Sequence, residues 1–107
     1  MAGVVLLRAW AVRERADRAR ADGRRYLLVC YDVWDRRRGD EDLGYYYPSF
    51  DGAHEVAAFL ADKQLAVDTT GYADVCEAVI DLERATGDFD VAWCEAPADW
   101  LARSGFA

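Results

Sequence analysis

The sequence predicts an α+β domain: a small, mainly antiparallel three-stranded sheet packed with helices, in the order α-β-β-α-α-β-α. Three observations predict it. Residues 25–34 (RYLLVCYDVW) are β-branched and aromatic, and apolar at both alternating sets of positions, as a strand covered on both faces must be. Residues 4–22 and 71–86 place apolar side chains three and four apart, the spacing of a helix with one buried stripe. The 107 residues are 53% hydrophobic and hold only 2 prolines, which suits one core and one domain spanning 1–107 and excludes a disordered or low-complexity chain. Within it, a basic helical segment (1–24) precedes an acidic α+β remainder (25–107).

The first helix, over 4–22, carries Val5, Ala9, Val12, Ala16 and Ala19 on one face, with the alternative that Val4-Val5-Leu6-Leu7 form a short strand and the helix starts only near Arg13. Arg13/Asp17, Glu14/Arg18 and Arg18/Asp22 are opposite charges four apart, and Gly23 is the natural stop. After the 25–34 strand comes a polar loop, 35–43, and then a second strand over 44–50 (GYYYPSF). Pro48 cannot donate to a ladder, so this strand is expected at an edge. Asp51-Gly52 breaks it, and a helix over 53–63 buries Val56, Phe59 and Leu60. A third helix is expected over 71–86, capped by Thr70, with Tyr72, Val75, Cys76, Val79 and Leu82 inward and Gly87 at its end. Residues 89–95 alternate as a third strand. Pro97 opens a short terminal helix carrying Trp100 and Leu101, stopped at Gly105.

Charge is unevenly spread. Residues 1–38 hold ten arginines against five acids (+5), and residues 39–107 hold three basic residues against fifteen acids (−12), giving the net −7. Such asymmetry predicts either a surface for a charged partner or a basic segment folded against the acidic remainder. The three cysteines, Cys30, Cys76 and Cys94, form no CxxC pair and lie among apolar neighbours, so buried reduced thiols are expected. His54, the only histidine, is expected at a helix start on the surface. No nucleotide-binding glycine loop, nucleophile elbow or HExxH pattern is present, so no cofactor and no metal are expected. No apolar run approaches the ~18–20 residues of a membrane span. No secretory leader is read at the start either, so the expected location is cytoplasmic.

Four constellations carry chemistry. Asp40, Glu41 and Asp42 form an acidic loop. Tyr45 and Tyr47 alternate onto one face of an edge strand, with Tyr46 on the other, and exposed tyrosines make good interface anchors. The same tyrosine edge suits a homodimer. On the expected 71–86 helix, Asp74, Glu77 and Asp81 fall in one exposed row, a ridge of carboxylates that would imitate a nucleic-acid backbone and steer a basic partner. The first helix carries Arg8, Arg13, Arg15, Arg18 and Arg20, with Arg24 and Arg25 following, and a basic helix can grip phosphates.

Residues 31–39 (YDVWDRRRG) form a further motif, an apolar strand ending in Tyr-Asp-Val and then arginines. It resembles the first-strand motif of the small ferredoxin-like CRISPR adaptation nucleases and related toxin nucleases. The resemblance covers about ten residues and implies that Asp32 would help bind a catalytic divalent metal. It departs from the family in having a whole helix before the motif.

Together these readings favour a non-enzymatic binding domain. It would be a small acidic inhibitor or an antitoxin- or immunity-like partner, of the anti-CRISPR or nucleic-acid-mimic type. It would dock on a basic, nucleic-acid-handling protein through Asp40, Glu41, Asp42, Tyr45, Tyr47, Asp74, Glu77 and Asp81. The alternatives are a nucleic-acid binder using the arginine helix and a metal-dependent nuclease using Asp32.

Overall fold

A computed structural model describes residues 9–32, 45–64, 74–84 and 93–106. Among them the elements are α1 (Ala9–Ala21), β1 (Tyr26–Asp32), β2 (Ser49–Phe50), α2 (Ala53–Gln64), β3 (Asp74–Asp81), β4 (Cys94–Glu95) and α3 (Pro97–Arg103). The strands form one sheet in the order β2-β1-β3-β4, with every described pairing antiparallel. The α+β class holds, and two expectations are corrected. Among the described residues the sheet has four strands rather than three, and the order is α-β-β-α-β-β-α, because residues 74–81, within the segment expected as a helix over 71–86, are the strand β3.

β1 is apolar on both faces because helices cover both. Leu27 and Val29 pack with Ala78 and Ile80 against Val12, Ala16 and Ala19 of α1. Tyr26, Leu28 and Cys30 pack with Val79 against Val56 and Leu60 of α2 and Trp100 of α3. Trp100 is 1% exposed, meets Tyr26 edge-on at 5.7 Å and stacks on Phe106 at 5.8 Å. α1 ends where expected: Gly23 takes φ +74°, and the Arg24 N–H bonds the Ala19 carbonyl at 2.9 Å.

Pro48 lies on the edge side of β1, where only its carbonyl is needed, accepting the Leu28 N–H at 2.9 Å. Of the expected third strand, residues 89–92 lie outside the described residues and Cys94–Glu95 pair with β3. Arg103 clamps Glu95 with its Nε and Nη2 at 2.9–3.1 Å, tying α3 to β4.

The β1–β3 ladder explains why β3 reads as a helix. Val29 faces Ala78, yet Cys30 faces Cys76, so Glu77 is an extra residue, a β-bulge. The bulge breaks strict alternation. Cys76 and Val79 lie on the α2/α3 face although three apart, while Ala78 lies on the α1 face. A bulged strand buried on both sides thus shows apolar residues at spacings of three and four, the same trace a helix leaves. Val75, Val79 and Ile80 supply the β-branched character that the periodicity outweighed.

Candidate binding surface

Asp74, Glu77 and Asp81 do not form one exposed row. Spread along a strand at ~3.3 Å per residue, Asp74 and Asp81 stand at opposite ends of β3, roughly 20 Å apart. Asp81 is only 8% exposed and is built into the fold. Its Oδ1 accepts the Glu83 backbone N–H at 3.1 Å, fixing the turn after β3, and its Oδ2 faces Arg25 Nη2 at 3.6 Å. Glu77 is the half-buried bulge residue. Asp74 opens β3 directly opposite Asp32, the last residue of β1.

The tyrosines alternate as expected, but they are not laid bare. Tyr45 and Tyr47 pack half-buried against the α1-side core, and Tyr46 against the other. Tyr45 meets Tyr31 at 5.5 Å between ring centroids, and the Arg15 guanidinium lies 5.3 Å over the Tyr47 ring. Asp40, Glu41 and Asp42 lie outside the described residues.

Arg24, which ends the basic segment, and Arg25 after it pair with acids of the remainder. Arg24 Nη1 reaches Asp51 Oδ2 at 3.2 Å, and Arg25 contacts both Asp81 and Glu83, the latter at 3.1 Å. Arg18 pairs with Glu14 at 3.2 Å within α1, the one expected helix pair with a resolved contact. Arg20 lies 4.9 Å over the Trp93 ring. The ion pairs exposed at both partners, Arg24–Asp51, Arg25–Glu83 and Arg18–Glu14, contribute at most about 1 kcal/mol each.

None of the three cysteines is joined in a disulfide in this structure; Cys30 and Cys94 are buried and Cys76 half-buried. His54 is exposed at the start of α2, edge-on to Phe106 at 5.2 Å. Among the described residues, no three His, Cys, Asp or Glu side chains converge as a metal site. No helix there is long and apolar enough to cross a membrane.

Two juxtapositions escape sequence reasoning: Asp32 with Asp74, and Cys30 with Cys76. Each joins residues more than forty apart in sequence, and only the strand register brings them together. The fold and this surface define an α+β protein with a four-stranded antiparallel sheet between two helical layers. Comparison with protein-family models, curated proteins and solved structures finds no match to the chain.

Proposed function

We propose that the chain is a non-enzymatic protein-binding domain. It acts as a small acidic inhibitor or an antitoxin- or immunity-like partner, of the anti-CRISPR or nucleic-acid-mimic type, that docks on a basic, nucleic-acid-handling protein. One observation carries the reading: the molecule carries a net −7, and Arg24 and Arg25 at the end of its arginine-rich stretch are paired with the chain's own Asp51, Asp81 and Glu83. An acidic body of this kind attracts cationic partners through its summed field and disfavours nucleic acid. The contact region centres on the end of the β1–β3 ladder, where Asp32 and Asp74 oppose each other, with Glu77 a few positions along. Asp40, Glu41, Asp42, Tyr45 and Tyr47 extend it. Asp81 contributes through the fold, since it is engaged by Arg25 and the turn.

A second reading has its own support. Trp10 is the exposed large hydrophobic among the described residues, at 67%, and it stands one turn before Arg13 on α1. An indole beside arginines suits stacking on bases and contact with phosphates.

One experiment separates the two readings. The protein is used to capture partners from its host lysate, with and without nuclease, and the captured partner is then purified and titrated at rising salt. The first reading expects a basic protein that survives nuclease, binds more weakly as salt rises, and loses at least tenfold in affinity on the double reversal Asp74→Lys, Glu77→Lys. Unchanged affinity after that reversal would falsify the acidic-surface reading. Recovery of nucleic acid alone, weakened by Trp10→Ala, would move the function to α1.

A further inference from the structure

Cys30 and Cys76 face each other directly across the two central strands, β1 and β3. Cys30 donates its backbone N–H to the Tyr46 carbonyl and accepts the Tyr46 N–H, both at 3.0 Å. The N–H and C=O of one strand residue point to the same side. Cys30 therefore makes no ladder bond towards β3, and its pair with Cys76 is of the non-hydrogen-bonded kind. Such pairs hold their Cα atoms about 4.5 Å apart and their side chains closest. That separation falls within the roughly 4.4–6.8 Å that a disulfide bridges without backbone movement.

Both side chains lie on the α2/α3 face, packed with Tyr26, Leu28 and Val79, because the Glu77 bulge turns Cys76 to that side. The Cys76 Sγ–H donates to the Ala78 carbonyl at 3.5 Å, and Cys30 lies opposite it in the ladder. The Cys30 thiol is the main influence pushing the Cys76 thiol above the usual range, with burial adding to it. The third cysteine, Cys94, belongs to the opposite face, in the α1-side core.

We propose that Cys30 and Cys76 are a reversible cross-strand redox pair, closing to a disulfide when the protein meets a low-molecular-weight disulfide. Cys30 and burial hold the Cys76 proton, so the thiolate is a minor species and closure is slow and faster at higher pH; in that form the less buried Cys76 attacks one sulfur of the small disulfide and expels the other half as a thiolate. The Cys30 sulfur then attacks Cys76 Sγ in the mixed disulfide and expels the second half. Two S–H bonds and one S–S bond break, and one protein S–S bond forms. The two protons end on the two released thiols. The protein loses two electrons and the small disulfide gains them. The bond ties together strands whose linked residues enclose a long stretch of chain, so the closed form is the more stable.

The test incubates the native full-length protein in mixtures of oxidised and reduced glutathione, up to fully oxidised, for a day. Acid quenching, alkylation in denaturant and peptide mass mapping follow. The expected result is a Cys30–Cys76 linked peptide with Cys94 still alkylated, reversed by dithiothreitol. The closed form should show a Tm higher by on the order of 10 °C. Cys94→Ser keeps the bond and Cys76→Ser loses it. The proposal is overturned if all three thiols stay alkylated at the oxidised limit, if Cys94 is the partner found, if the link forms only in denaturant, or if it forms without raising Tm.

Discussion

Asp81 illustrates how a residue with the right charge for a surface role is claimed by the fold. One carboxylate oxygen holds the turn at Glu83 and the other faces Arg25. The two jobs separate by substitution. Asp81→Asn keeps an acceptor for the Glu83 N–H and loses only a pair with a half-exposed arginine, so a cost below about 1 kcal/mol is expected. Asp81→Ala also leaves that N–H without its acceptor and should cost about 1–2 kcal/mol. Urea denaturation of the two variants measures both, and equal losses would mean that the turn bond contributes nothing. In the sequence, Asp81 is one acid among twenty. Its partner Arg25 is 56 positions away, and no local pattern couples them.

At the scale of elements, α1, β1, α2 and α3 are legible because each follows one period or one punctuation mark. Val12, Ala16 and Ala19 are buried as the helical spacing requires, and so are Val56 and Leu60. Gly23 stops α1 in the left-handed region that glycine adopts at little cost. β3 is illegible for a physical reason, since one inserted residue at Glu77 gives a two-sided strand helical spacing. Ala78 distinguishes the two structures. In the expected helix it stands on the outward side beside Asp74 and Asp81. In the strand it is fully buried under α1, opposite Val29. Ala78→Glu should therefore cost more than about 3 kcal/mol, enough to unfold much of the population, because it buries an uncompensated charge. Thermal melting followed by circular dichroism reads this, and a neutral effect would restore the helix.

For the whole molecule, proton binding gives a test of how the core is built. Burial pushes the Tyr26 hydroxyl up, with nearby Arg25 opposing it, and the Cys76 thiol is pushed up by Cys30 and by burial. Both groups keep their protons to higher pH when folded than when unfolded. Their contribution is complete below the unfolded values, roughly 8.5 for a thiol and 10 for a phenol. It is lost as pH rises through and above them, because the unfolded chain ionises first. Tm under reducing conditions should fall progressively above about pH 9, and Cys76→Ser should remove the earlier part of the fall. A Tm flat to pH 11 would contradict the burial of these groups.

The sequence by itself determined the α+β class, the end of α1, the edge position of the Pro48 segment, the alternation of Tyr45 to Tyr47 and the burial of Cys30 and Cys94. These follow from local conformational preference and from periods that need no knowledge of a neighbour. Only the tertiary structure decided that residues 74–81 pair as a strand, that Arg24 and Arg25 meet Asp51, Asp81 and Glu83, and that Asp32 lies opposite Asp74 and Cys30 opposite Cys76 in the ladder. Register and charge pairing between distant segments depend on which faces the helices cover and where the ladder slips, and a single chain read in order holds no record of either.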